Sequence, residues 1–468
     1  MSQSTKLVVL GGGPGGYAAA FLAADLGLSV TLIDREPNPG GVCLYRGCIP
    51  SKALLHVARV ITEADHARAR GIEFGKPAID LDRLRGWTHD VIGKLTGGLG
   101  QLSTQRAIQY VQGAGRFLGP RSLAVTTPEG LEQVVAFEHA IIATGSRPTV
   151  VPALALESPH VMDSTSALEL DQIPGSLLVI GGGYIGLELG TVYAALGSRV
   201  SVIEMTSGLL PGADRDLVNV LARRLESVFS EIRLDTRVTG MHADGDGVRV
   251  NIEGADDATF DRVLVAVGRR PNSDIPGLDT TGIELDERGF IPVDGQRRTS
   301  VPTIFAIGDV VGEPMLAHKA SHEGRVAVEA IAGNAATFQP AAIPAVIFTD
   351  PEIAWCGLTE TEAKRTKRSV EIARFPWAAS GRAMSVDRTD GVTKLVLDPQ
   401  TQRILGVGIV GAGAGELIAE GVLAIEMGAV AADLTLTIHP HPTMSETLME
   451  AAEVFFGQST HLYRRRKS

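Results

Sequence analysis

Cys43 and Cys48 are two of only three cysteines in the chain, and they lie five positions apart in Gly40-Gly41-Val42-Cys43-Leu44-Tyr45-Arg46-Gly47-Cys48-Ile49-Pro50-Ser51-Lys52. An unbroken α-helix would hold residues i and i+5 roughly 8.7 Å apart, at ~1.5 Å rise and ~100° of turn per residue. A disulfide needs Cα atoms within about 7 Å. A bond between these thiols therefore requires a break in the helix. Gly47 offers one, and Pro50 suits the first turn of a helix running on through Ala53-Leu54-Leu55. This reading puts Cys43 on a loop and Cys48 at a helix N-terminus, where the macrodipole and unpaired amides favour a thiolate. The chemistry on offer is reversible thiol–disulfide exchange. The bland alternatives are two inert buried thiols, or half of a zinc site whose remaining ligands do not lie close by in sequence.

A second candidate group lies in Thr437-Ile438-His439-Pro440-His441-Pro442-Thr443-Met444-Ser445-Glu446. Two prolines hold His441 in an extended backbone. With Glu446 shortly after, the imidazole has the pattern of a positioned base and its orienting carboxylate. Thr443-x-x-Glu446 also reads as a capping box for the apolar helix that follows through Phe456, and one residue can serve both purposes.

The elements around these groups supply two nucleotide sites. Lys6–Leu10 is an apolar run that reads as a buried parallel strand. It enters Gly11-x-Gly13-x-x-Gly16 and a helix from Tyr17 to Leu26, and a second strand, Ser29–Ile33, ends on Asp34. Strand, glycine turn, helix, strand and acid make up the dinucleotide fingerprint in its required context: amides and the helix N-terminus take a pyrophosphate, and the acid takes ribose hydroxyls. The unit recurs as Leu177–Ile180, Gly181-x-Gly183-x-x-Gly186, a helix through Leu196, and Val200–Ile203 ending on Glu204. An acid there pairs with a free 2′-hydroxyl and repels a 2′-phosphate, which favours NAD over NADP. Ile141–Pro148, with Thr144 and Gly145, and Val263–Pro271, with Gly268, share one plan and read as exits from the two units. Thr303–Asp309 is a further strand ending at Gly-Asp. From about Ile343 the chain mixes strand-like runs (Ala345–Thr349, Val392–Leu397, Ile404–Val410) with an amphipathic helix near Glu416–Met427.

The 468 residues suggest about three domains. A net charge of -11 argues against nucleic acid or an anionic membrane as partner. Three cysteines make no secreted disulfide framework, so a reducing, cytoplasmic setting is expected, where an isolated disulfide is more often catalytic than structural. Polar Met1–Thr5 leaves no room for a signal or transit peptide before the first strand. The most apolar region, Leu405 to Val430, is interrupted by Glu416, Glu420 and Glu426, so no membrane span is expected.

Together these segments resemble the pyridine nucleotide–disulfide oxidoreductases, over nearly the whole chain. Met315–Ala320, Phe348–Glu352 and Phe375–Arg382 add to the match. The resemblance implies an α/β fold with two Rossmann-like dinucleotide-binding domains plus a C-terminal α+β dimerisation domain. The expected boundaries are 1–148 for the FAD-binding domain, 149–272 for the NAD-binding domain, 273–342 for a return to the FAD-binding, central region, and 343–468 for the interface domain. It implies FAD at Gly11, Gly13, Gly16, Lys52, Thr144, Gly145, Met315, Leu316, Ala317 and His318, with Asp34 on its adenosine ribose and Asp309 on its ribityl chain. It implies NAD at Gly181, Gly183, Gly186, Glu188 and Gly268, with Glu204 on the ribose, and no metal. Cys43 is then the exchanging thiol and Cys48 the one facing the flavin. Lys52 and Glu188 form a pair beside them, and His441, oriented by Glu446, reaches the disulfide across a homodimer interface. Within the family, the match points to oxidation of dihydrolipoyl groups with NAD⁺, with the lipoyl domains of a 2-oxoacid dehydrogenase or glycine-cleavage complex as partners. No cysteine follows Cys356, which disfavours mercuric reductases and the larger thioredoxin reductases, and Glu204 opposes the NADP-dependent glutathione type.

Some residues depart from the family pattern. Tyr45-Arg46 stands where Asn-Val is common; Arg46 is expected to be a solvent-facing charge, the alternative being that it lowers a neighbouring thiol pKa. His322 replaces a common acid. Cys356 reads as a core residue. Arg464-Arg465-Arg466-Lys467 reads as a solvated end, or as a dock for an acidic partner.

Overall fold

Apolar runs ending on glycine form the centres of two parallel sheets. In this computed structural model, residues 3–463 are described, and the basic Arg464–Lys467 segment lies outside them. Strand Gln3–Leu10 has Val30–Asp34 on one side and Glu132–Ile142 on the other; Gln109–Gln112 and Ile304–Ala306 add at the flanks, all in parallel. Ala114–Gly119 and Ser122–Thr126 extend the sheet in antiparallel fashion. Val8, Val9, Leu32, Ile141 and Phe305 are buried, as expected of strands covered on both faces. Helices Pro14–Asp25 and Ala317–Ile331 pack together beside this sheet. Register is what matters for a site. Leu10 lies opposite Ile33 and Ile142, and Ile142 opposite Ala306. Gly11, Asp34, Ala143 and the turn carrying Asp309 therefore all leave from one edge, the carboxyl end, where open α/β sheets bind ligands.

The second sheet repeats the plan with Glu231–Arg233, Arg199–Ile203, Ser176–Ile180, Arg262–Val265 and Val161–Met162 in that order, again parallel. Ile180 lies opposite Ile203 and Val265, so Gly181, Glu204 and the segment to Gly268 also share an edge. The two exits pair with each other: Ser146–Pro148 and Arg269–Pro271 form an antiparallel ribbon with Arg147 opposite Arg270.

The C-terminal region is an antiparallel sheet in the order Ala345–Ile347, Glu352–Gly357, Ile404–Gly411, Val392–Leu397, Glu371–Pro376. Helices Ala414–Glu426 and Glu446–Phe456 pack on it over a core containing Phe375, Trp377, Leu395 and Leu448. Cys356 belongs to that core, and burial pushes its thiol up to about 12. Lys394 Nζ, buried in this sheet, reaches Asp214 at 2.6 Å and Asp216 at 2.7 Å on the second nucleotide unit. Burial opposes ionisation of Asp214, but Lys394 and Thr361 outweigh it and hold the carboxyl at about 2.

Candidate active site

The cysteine segment is seated directly on the first fingerprint. Gly40 N donates to Gly12 O at 2.7 Å. Gly41 has φ +56°, and a Cβ on it would lie 2.5 Å from Gly13 Cα, so only glycine permits this approach. From that seat, helix Gly41–Arg46 carries Cys43, and helix Cys48–His66 begins at Cys48 after the interruption at Gly47. Cys43 thus sits in a short helix and not on the expected loop. Nothing between Gly41 and Arg46 breaks a helix, and the one interruption the pair needs falls at Gly47. Cys48 occupies the helix start, as expected.

Both thiols are free, and they lie within hydrogen-bonding reach of each other. The Cys43 thiol bonding to Cys48, helped by the Lys52 ammonium and opposed by burial, lowers Cys48 to about 7. The same hydrogen bond and burial raise Cys43, which keeps its proton at neutral pH. Arg46 has a different partner: its guanidinium pairs with Glu36, and both side chains are only partly exposed. It is therefore not the solvent-facing charge expected from sequence, and the cation acting on the thiolate is Lys52.

The cysteines open on a cavity of about 670 Å³. Its wall brings together Gly11, Gly13, Asp34, Cys43, Cys48, Lys52, Thr144, Gly145, Glu188, Asp309, Met315 and Ala317. Gly16, Leu316 and His318 do not line it. Gly16 serves packing, since a Cβ there would meet Gly11 O at 1.8 Å, and His318 Nε2 bonds to Pro344 O at 2.8 Å. Lys52 Nζ lies 2.8 Å from Glu188 Oε2, and Glu188 Oε1 accepts from Phe348 N at 2.9 Å. Asp309 Oδ2 accepts from Ser146 Oγ at 2.6 Å, and Ser146 Oγ in turn accepts from Arg269 Nε at 2.8 Å. Fully buried Glu323 braces the Asp309 turn: its Oε2 accepts from Gly308 N at 2.7 Å and its Oε1 from Arg297 at 3.0 Å.

The two strand-end acids are held alike. Asp34 accepts from Glu36 N at 2.9 Å and from Gly12 N, and burial raises its carboxyl against those bonds. Glu204 accepts from Gly182 N at 2.6 Å and from Thr206 N at 2.7 Å. Gly181, Gly183, Gly186, Glu204 and Gly268 are absent from the cavity wall and gather at the second sheet's carboxyl edge. The next arginine after Glu204, Arg215, is committed to the carbonyls of Leu209, Leu210 and Ala213.

His441 stands apart from the cavity, with its side chain 73% exposed. Its Nδ1 lies 2.9 Å from Glu446 Oε1, while Glu446 Oε2 accepts from Thr443 N at 2.7 Å. Burial opposes ionisation of Glu446, but these two bonds hold its carboxyl below the usual range. Only half of the capping box forms, because Thr443 Oγ1 bonds to Pro440 O and Ser445 rather than to the helix. His439 Nε2, 2.7 Å from Glu420 Oε1, ties the segment to helix Ala414–Glu426. Leu423, Met427, Leu436 and Ile438 around it are exposed, Ile438 by 95%.

Residues 5–324 match the family model described as pyridine nucleotide-disulphide oxidoreductase. The chain belongs to this family. Residues 343–452 match the family's dimerisation domain, which supports a homodimer. Among curated proteins, the chain is 52% identical to a dihydrolipoyl dehydrogenase of Vibrio cholerae (99% of this chain, 98% of the relative). It is 50% identical to one of Haemophilus influenzae (98% and 96%). Among solved structures it resembles LpdA of Mycobacterium tuberculosis at a TM-score of 0.90 and 26% identity, covering 96% of this chain and 99% of that one. It also resembles the HOCl-induced flavoprotein disulfide reductase RclA of Escherichia coli at 0.87 and 29%, covering 97% and 99%. As an oxidoreductase of the pyridine nucleotide–disulphide family, it uses FAD and NAD as cofactors.

The residues present fit both cofactors. At the middle glycine of each fingerprint, Gly13 and Gly183, a Cβ would meet no protein atom within 4 Å, which leaves room for the close backbone approach that a pyrophosphate requires. No helix among the described residues is long and apolar enough to cross a membrane. Sequence reasoning missed Ser146, Arg269 and Glu323. The first two follow Gly145 and Gly268 in the matching exits, so the pairing of those exits was the available signal. Glu323 lies in a helix interior and gave none.

Proposed function

We propose that this enzyme oxidises dihydrolipoyl groups to lipoyl groups with NAD⁺, and that Cys43 and Cys48 exchange with the substrate dithiol. The observation that carries the reading is a free thiol pair, one member poised as thiolate near pH 7, opening on the cavity that also presents Asp34 and Asp309. The names of its relatives point the same way.

In the oxidised enzyme the pair is a disulfide. His441 of the partner subunit takes a proton from one substrate thiol, and the resulting thiolate attacks Cys43 Sγ. The Cys43–Cys48 bond breaks, and Cys48 leaves as the thiolate that Lys52 stabilises. The second substrate thiol then attacks the substrate sulfur bound to Cys43, closing the lipoyl disulfide and releasing Cys43, which takes up a proton. Glu446 fixes the orientation of the imidazole through its contact with Nδ1. Bound FAD supplies the two-electron link between this dithiol and NAD⁺. Asp34 holds the adenosine ribose of FAD, Asp309 its ribityl chain, and Glu204 the ribose of NAD. The domains divide at 148/149, 272/273 and 342/343. The physiological partners are lipoyl domains of a 2-oxoacid dehydrogenase or glycine-cleavage complex, and the setting is cytoplasmic.

The test is NADH formation from dihydrolipoamide and NAD⁺, with glutathione and mercuric ion tried in parallel. Turnover of dihydrolipoamide alone supports the reading. Turnover of glutathione or mercuric ion instead overturns it.

A further inference from the structure

Arg46 lies three residues after Cys43 on the same short helix, yet it turns toward Glu36 at the Asp34 end of the large cavity. Glu36 itself is fixed: its N–H donates to Asp34 Oδ1 at 2.9 Å, and its carbonyl accepts from Tyr110 Oη at 2.7 Å. Among the described residues, the one side-chain hydrogen bond of Arg46 runs from Nη2 to Glu36. Its Nε and Nη1 keep their donors, on a side chain that lines the cavity together with Asp34, Arg35 and Glu36. A guanidinium with free donors beside a ribose-binding carboxylate is suited to the acceptor-rich adenosine phosphate half of a dinucleotide. Glu36 has a second consequence. It draws the cation away from Asp34, which stays available to hydroxyl groups instead of closing an ion pair across the site.

We propose that Arg46, held by Glu36, is a further FAD-binding residue that contacts the adenosine phosphate half of the cofactor. This rests on the assignment of the Asp34 end of the cavity to the adenosine ribose. Valine, common at this position in the family, brings no donor, so this chain holds the same cofactor with one contact more.

The test follows FAD release from the holoenzyme by the rise of flavin fluorescence after dilution, for wild type, R46V, R46K and D34N, with far-UV thermal melts as a control on folding. Loss of one charge-assisted hydrogen bond corresponds to about a tenfold change or more. R46V is expected to release FAD about tenfold faster with an unchanged melt. R46K, which lacks the planar fork, is expected to fall between R46V and wild type. If R46V and R46K both release FAD at the wild-type rate while D34N releases it faster, the Arg46 proposal fails and the adenosine assignment stands. Wild-type release from all three variants overturns both.

Discussion

Lys52 Nζ lies 2.8 Å from Glu188 Oε2, and this contact joins the cysteine helix to the helix behind the second fingerprint. Phe348 of the C-terminal sheet region completes the junction, donating its N–H to Glu188 and placing its ring 4.6 Å from Lys52 Nζ. All three regions of the chain therefore meet beside the thiol pair.

The pair sets the charge around Cys48. Lys52 favours the thiolate and Glu188 disfavours it. In the reduced enzyme, alkylation of Cys48 should rise with pH around a midpoint near 7. K52M should move that midpoint up, and E188Q should move it down. Rate–pH profiles with iodoacetamide, read by peptide mass spectrometry, check both directions.

His441 is assigned to the substrate dithiol and to nothing else. H441A should cut dihydrolipoamide oxidation by about two orders of magnitude or more. Flavin reduction by NADH should largely survive. The two half-reactions followed separately by rapid mixing test this, and equal loss of both contradicts it.

The glycines of the first fingerprint should fail in different ways. Gly13 has φ -70° and open space where a Cβ would point, so G13A should fold normally and lose FAD affinity, because the added methyl points into the space left for the cofactor. G16A drives a Cβ against Gly11 O and should destabilise the unit itself. Thermal melts measured alongside flavin content separate the two.

Glu323 is buried against two cations, with Arg297 at 3.0 Å and Lys319 at 3.4 Å. Removing one partner from such a cluster leaves buried charge uncompensated and costs about 3–5 kcal/mol. E323Q should lower the melting temperature and loosen the Asp309 turn, seen as faster loss of FAD. An unchanged melt would mean that the turn does not depend on this carboxylate.

Much of this architecture was legible in the sequence because glycine spacing and end-of-strand acids follow directly from dinucleotide geometry. Gly11 to Gly16 with Asp34, and Gly181 to Gly186 with Glu204, fall at matching strand ends. The helix start at Cys48 was legible from Pro50 and the break at Gly47. What escaped was set by packing across the chain. Cys43 lies in a short helix that nothing from Gly41 to Arg46 interrupts, and the seat of that helix on Gly13 is a contact that local sequence does not encode. Arg46 turned out paired because Glu36, ten residues earlier, is brought to it by the strand ending at Asp34. The 25-residue helix Leu81–Gln105 carries Gly86, Gly93, Gly97, Gly98 and Gly100, each of them unfavourable in a helix interior by propensity alone. His441 could be singled out as a base, but its 73% exposure and distance from the cavity wall emerge only in three dimensions.

The central claim is that the Cys43–Cys48 disulfide exchanges with the substrate. Oxidised holoenzyme, mixed anaerobically with one equivalent of dihydrolipoamide and no NAD⁺, can be quenched with an alkylating agent and mapped by peptide mass spectrometry. We expect label to appear on Cys43 and Cys48 together, with Cys356 unchanged, and C48S to form no NADH in steady-state assays. NADH formation by C48S at the wild-type rate, or reduction of the enzyme without new label at these two positions, would contradict it.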